Sequence, residues 1–209
     1  MFKEIDIQAW NRREHFHFFS QFEEPFFGLV VDVDCTNAFK RSKELGVSYF
    51  LYSLHKILLA VNESEEFKYR IIDGKVICYD TIHVSPTVGR EDGTFAFSFF
   101  NFYSDLNKFI AEASKEINRI KMSEGLQINE HTSRLDTIHF SSLPWIKFTG
   151  LTHARSFSYK DSVPKISVGK LFTENNNLKM PLSINVHHGL ADGLHVSKFI
   201  DLLQAKLDS

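Results

Sequence analysis

Leu182-Ser183-Ile184-Asn185-Val186-His187-His188-Gly189-Leu190-Ala191-Asp192-Gly193 alternates apolar and polar residues and then breaks at a glycine. Side chains of a strand point to opposite faces in turn, so Leu182, Ile184, Val186 and His188 are predicted on one face and Ser183, Asn185 and His187 on the other. Working backward, the Asn175-Asn176-Asn177 turn joins this strand to another run, Ile166 to Phe172. Asp73-Gly74 marks a hairpin between Arg70 to Ile72 and Lys75 to Tyr79, and Glu91-Asp92-Gly93 separates a further pair of β-rich runs. Gly28 to Val33, Asp136 to Phe140 and Ile146 to Leu151 also read as strands. Helical periodicity appears at Leu51, Leu54, Leu58 and Val61 behind Ser48, at Leu106, Phe109, Ile110, Ala113, Ile117 and Ile120 behind Ser104, and at Val196, Phe199, Ile200, Leu203 and Leu207. Strands outnumber helices and interrupt them irregularly, which predicts an α+β fold, a mixed β-sheet covered by helices.

A chain of 209 residues can bury roughly 70% of its unfolded surface, so one domain spanning residues 1–209 is expected. With 24 Lys+Arg against 26 Asp+Glu the formal charge is −2, which argues against a nucleic-acid binder. The longest apolar stretch, Tyr49 to Val61, is broken by Ser53, His55 and Lys56 and falls short of the ~20 residues of a membrane span, so no membrane partner is expected. Cys35 and Cys78 stand far apart behind a start without signal-peptide character, which predicts a reduced, cytoplasmic setting. Phe accounts for 21 residues against 6 Tyr and 2 Trp, and its clusters at Phe16 to Phe27 and Phe95 to Phe102 either fill a core or line an apolar pocket.

His188 ends the apolar row, where it is partly desolvated, and Gly189 lets another molecule approach the backbone. A general base needs this placement, neutral near pH 7 and within reach of a substrate proton. The same placement also suits a core histidine bonded to a backbone carbonyl. His187 reads as a structural donor or a surface residue. Asp192 can orient an imidazole, cap the C-terminal helix or hold an arginine. His187, His188, Asp192 and His195 contain ligand types, but neighbouring strand residues point apart, so no metal site is expected. Neither a G-x-S-x-G elbow nor a nucleotide-phosphate glycine loop is present.

These residues resemble a known family. His187-His188-Gly-Leu-Ala-Asp192-Gly193-Leu-His195-Val is similar to the HHxxxDGxHV signature of the chloramphenicol acetyltransferases. Trp10-Asn-Arg12-Arg13-Glu14-His15-Phe16 resembles that family's WxRxEHF helix, and Ser141-Ser-Leu-Pro144-Trp145 resembles its S-A-x-P-W turn. The order and separation of all three agree with the family from end to end of the chain.

The resemblance implies a chloramphenicol-acetyltransferase-like fold assembled as a homotrimer, with active sites between subunits and acetyl-CoA as cosubstrate. It implies that His188 takes the proton of a chloramphenicol hydroxyl as the oxygen attacks the thioester, its tautomer fixed by a bond from the other ring nitrogen to its own carbonyl. Ser141 would donate to the oxyanion, Ser167 would assist through a water in place of a threonine, and Arg12 with Asp192 would form an ion pair bracing the loop after the base. Phe19, Phe27, Phe95 and His153 match acceptor-pocket positions, and Lys170 a position near the coenzyme. Departures from the pattern are Ala191 for a cysteine, His153 for a bulky aliphatic, and the charge of the Phe22-Glu23-Glu24-Pro25 loop. Related HHxxxDG sequences occur in peptide-synthetase condensation domains and dihydrolipoamide acyltransferase cores, whose longer chains fit less well. The residues are also compatible with a family member acting on a different hydroxylated acceptor, and with a non-catalytic relative that binds acyl-CoA or an apolar ligand.

Overall fold

The computed structural model describes residues 1–156 and 160–209. In chain order the elements are β1 (Phe2–Glu4), α1 (Arg13–Phe19), β2 (Phe26–Asp34), α2 (Thr36–Glu44), α3 (Tyr49–Glu63), a 3₁₀ turn (Glu65–Lys68), β3 (Tyr69–Ile72), β4 (Lys75–Tyr79), β5 (His83–Gly89), β6 (Phe95–Phe97), α4 (Leu106–Lys121), β7 (Thr137–Leu143), β8 (Lys165–Gly169), β9 (Phe172–Glu174), β10 (Asn177–His187) and α5 (Gly193–Asp208). The main sheet runs β2-β10-β8-β7-β5-β6, with β9 also paired to β10, and a small sheet runs β1-β4-β3. It is mixed, since β5, β7 and β8 are parallel neighbours while β10 is antiparallel to both β8 and β2.

The expected alternation along β10 holds. Leu182, Ile184 and Val186 enter one buried cluster with Ile138, Phe140, Ile166 and Val168 of the adjacent strands and with Leu54, Leu58, Phe199 and Leu203 of α3 and α5. Both hairpins form: Asp73 and Gly74 take positive φ (50° and 77°), as do Asn175 and Asn176 (49° and 65°), the geometry that short polar side chains and glycine tolerate. The opposite face of the sheet carries His187 and two rows set by register, Ser85-His139-Lys165-Asn185 and Ser141-Ser167-Ser183. Ser85, Lys165, Ser167, Ser183 and His187 on this polar face are buried too.

Four expectations differ. The run Ile166 to Phe172 is two strands, β8 and β9, that pair with different stretches of β10, and the Asn175-Asn176 turn joins β10 to β9. Ile146 to Leu151 forms no strand; Ile146 accepts a single bond from the Lys170 N–H (2.9 Å), and Phe148 packs against Gly169, where a Cβ would meet its ring at 3.0 Å. The cap of α4 is Asp105, whose carboxylate accepts from the Lys108 N–H (2.7 Å), and not Ser104. Ser48 stands at the N-cap of α3 without a side-chain capping bond.

Candidate active site

His188 follows the last residue of β10, and its N–H donates to the Pro25 carbonyl (2.8 Å), which continues the pairing with the start of β2. Its ring lies flat on Phe19 of α1, with centroids 4.0 Å apart and planes within 8°, and tilts against Phe27 of β2 at 4.6 Å. The half-buried imidazole is thus held between two apolar rings on the helix side of the sheet. Its Nδ1 is buried and makes no hydrogen bond among the described residues, so the bond to its own carbonyl implied by the resemblance is not formed. That carbonyl instead accepts from Arg12 Nη2 (3.0 Å).

Arg12 grips two things at once, since its Nη1 donates to Asp192 Oδ2 (2.5 Å) from a nearly buried position. Asp192 also caps α5, its Oδ1 accepting from the Leu194 N–H (3.0 Å), and His195 Nδ1 lies 2.7 Å from the same oxygen. Asp192 thus takes part in an ion pair and in a helix cap at once. Burial pushes the Asp192 carboxyl up, but the Arg12 hydrogen bond and charge, with His195, outweigh it and bring it down to about 2. His187 is neither a surface residue nor a donor through Nδ1, which accepts from the Gly189 N–H (3.1 Å). Burial, then the charge of Arg155, lowers its imidazole to about 4. Gly189 is required by close approach: a Cβ there would meet the His187 ring at 3.0 Å.

Ser141 lies elsewhere. It pairs with Ser167 across β7 and β8, and Ser167 pairs with Ser183 on β10, one row across the polar face. Ser141 and His153 line a cavity of about 320 Å³ with Ser85, Thr87, Phe97, Ile128, Thr132, Ser133, His139, Ala154 and Lys165. His188 is on the other face, five residues along β10 from that row and two strand spacings across, which places it roughly 19 Å from Ser141. Within one chain His188 and Ser141 do not meet.

The other expected residues divide accordingly. Phe19 and Phe27 belong with His188, while His153 belongs with Ser141. Phe95 is half exposed and touches Phe97, which does line the cavity. The Ser167 hydroxyl is fully buried and makes no hydrogen bond among the described residues. Lys170 is exposed at the end of β8. Glu24 accounts for the unusual charge of the 22–25 loop, because it accepts from the Phe26 N–H (3.0 Å) and pairs with Arg155. Sequence reasoning missed His139 and Lys165, which alternation along β7 and β8 puts on the Ser141 and Ser167 face. Among the described residues no three His, Cys, Asp or Glu side chains gather as metal ligands; His187 and His188 face opposite ways, and no helix is long and apolar enough to cross a membrane.

The family model described as chloramphenicol acetyltransferase matches residues 1–204. A chloramphenicol acetyltransferase of Proteus mirabilis is 27% identical over 205 residues, covering 98% of this chain and 94% of its own. A solved structure described as chloramphenicol acetyltransferase superposes with a TM-score of 0.91 at 33% identity, covering 99% of this chain and 100% of its own. The dihydrolipoamide acetyltransferase of Azotobacter vinelandii, at 19% identity and a TM-score of 0.68 over 94% of this chain and 86% of its own, shares the fold.

Proposed function

The chain belongs to the chloramphenicol acetyltransferase family, and from that premise we propose that it is an acetyl-CoA-dependent O-acetyltransferase whose acceptor hydroxyl can be that of chloramphenicol. The whole chain serves as one catalytic domain. The observation that carries the reading is the held imidazole: His188 is fixed by two rings and by Arg12 on its carbonyl, with Nδ1 buried and Nε2 the nitrogen left to meet a substrate. Nε2 takes the hydroxyl proton, the hydroxyl oxygen attacks the thioester carbon, and the C–S bond breaks to release the thiol of CoA, which receives the proton. Ser141 donates to the oxyanion of the tetrahedral intermediate, a contribution commonly of ~10²–10³ in rate. The unpaired Ser167 hydroxyl suits a water held beside that oxygen, because a buried hydroxyl without a partner is costly.

Because His188 and Ser141 are separated within one chain, the reading requires them to come from different subunits, as in a homotrimer with sites between protomers. Phe19 and Phe27 then form the wall that arrives with the base, Phe95 and His153 belong to the receiving side, and Lys170 stands on the surface offered to the coenzyme. The setting proposed is cytoplasmic and the biological role antibiotic inactivation. Thiol release from acetyl-CoA on adding chloramphenicol, with the acetylated drug identified by mass spectrometry, tests the proposal. Release without drug acetylation but with another hydroxylated compound would retain the reaction and replace the acceptor.

A further inference from the structure

Arg12 holds the carbonyl of His188 with a guanidinium that has few other ties. Its Nη1 and Nη2 donate to Asp192 and His188, and its Nε is buried and makes no hydrogen bond among the described residues. The direction in which Asp192 presents Oδ2 therefore sets where Arg12 stands. Arg12 also begins α1, the helix that lays Phe19 on the His188 ring.

Asp192 is held in turn by His195, a residue of the 187–196 signature with no part in the proposed reaction. His195 is the third residue of α5 and mostly buried, and its Nδ1 stands between two groups of Asp192, 3.2 Å from the backbone nitrogen and 2.7 Å from Oδ1. One ring nitrogen cannot serve both. Bare, it accepts from the N–H, as the side chain at this position of a capping box does; protonated, it donates to the carboxylate. A lone pair 2.7 Å from a carboxylate oxygen is repelled, whereas an N–H there makes a short charge-assisted bond, so the closer contact fixes the proton on Nδ1. The Asp192 N–H then falls to solvent at the partly exposed helix start. On the other side of the ring, Nε2 lies 3.4 Å from Glu66 Oε1, and the neighbouring Phe67 stacks on Phe199 of α5 at 4.2 Å. Glu66, His195, Asp192, Arg12 and the His188 carbonyl thus follow one another from the 3₁₀ turn through α5 to α1 and the end of β10.

Resting on the acetyltransfer reading, we infer that His195 is a positioning residue for the base: its Nδ1–H fixes the Asp192 carboxylate against Arg12, and Arg12 carries that constraint to the backbone of His188. A cap alone asks only for an acceptor at this position, which glutamine or glutamate supplies. An N–H aimed at the carboxylate acts on the ion pair instead.

The test uses His195→Leu, which can neither donate nor accept, and His195→Asn, whose amide nitrogen falls where Nδ1 stands. With chloramphenicol and acetyl-CoA, His195→Leu is expected to lose roughly tenfold or more in kcat with both KM values within about twofold, because a small misplacement of a reacting group costs rate rather than binding. His195→Asn should recover most of that loss. A second readout needs no turnover. Nitrogen-15 NMR of the wild-type protein should show His195 Nδ1 protonated, and the ring protons of His188, shielded by the face of Phe19, should shift toward solvent values in His195→Leu and return in His195→Asn. A bare Nδ1 in the wild-type protein would overturn the inference whatever the variants do, and so would a kcat per folded molecule unchanged in His195→Leu with only a lower Tm. A wild-type protein that releases no thiol with any acceptor would remove the acetyltransfer reading; the His188 signals then decide whether His195 positions that ring, upholding it if they move as stated and overturning it if they stay.

Discussion

At the scale of single residues, two adjacent histidines have opposite duties. His188 presents a held ring, whereas His187 is buried and spends Nδ1 on the Gly189 N–H. His188→Ala should therefore lose at least ~10³ in kcat/KM while still binding acetyl-CoA, since a general base contributes roughly 10²–10⁴. His187→Ala should lose far less activity and show its effect as a lower Tm. Equal activity of the two variants would refute the assignment. His153 matters differently. Burial, then Lys165 and Arg155, lowers its imidazole, so it stays neutral below the usual histidine range. The KM for chloramphenicol should accordingly hold level through pH 6.5 and rise only at more acid pH. His153→Leu should lower KM, because an aliphatic chain replaces an unpaired ring nitrogen against a neutral drug, and should stay level across the range. Steady-state KM against pH on both proteins checks this.

At the scale of elements, α1, the turn after β10 and the start of α5 meet on one guanidinium. Asp192→Asn preserves the shape of the cap but leaves Arg12 charged and nearly buried. A fully buried pair broken in this way costs ~3–5 kcal/mol; with Asp192 partly exposed, about 2–3 kcal/mol and a Tm lower by roughly 5–10 °C are expected. Normal melting and turnover would mean that the pair does not brace the site. The wild-type pair also predicts an acid limb. Asp192 titrates lower folded than unfolded, so its contribution is complete above about pH 4 and is lost as pH falls toward 2. That contribution is roughly 1–2 kcal/mol once solvent screening is allowed for, and the Asn variant should lack it in an acid denaturation curve. Much of this was legible beforehand, because alternation along Leu182 to His188 put His188 on the apolar face and the turn residues at 73–74 and 175–176 carried their own geometry. The segment α2 was not legible: Thr36–Glu44 presents little more than Ala38, Phe39 and Ser42 to its neighbours, too few apolar positions for a period to show. Nor was the burial of the polar face, since alternation separates two faces without saying that the second will also be covered.

For the whole molecule, the proposed reaction together with the separation of His188 from Ser141 requires activity to be a property of an assembly. Mixing His188→Ala subunits with Ser141→Ala subunits should recover part of the activity that each lacks alone, because some interfaces then pair an intact base with an intact oxyanion donor. Light scattering should give three times 24.2 kDa. An active monomer at micromolar concentration would end this proposal. The same separation explains why site geometry could not be read from one chain's motifs: Arg12 of the first motif meets His188 and Asp192 of the last, while the Ser141 motif stands apart from both.

The placement of β10 also bears on how the protein is made. It lies between β2 and β8, yet it is the last strand to be synthesised, and Arg12 waits for partners 176 and 180 residues downstream. While β10 is still within the ribosome, β2 and β8 have unsatisfied edges, the exposure that favours pairing with the wrong chain. Contacts this distant in sequence close slowly. Nascent chains in which β8 has emerged while β10 is still held within the ribosome should thus be the vulnerable species, sensitive to protease and drawn to chaperones, and release of the final strand should convert them in one step to a resistant form.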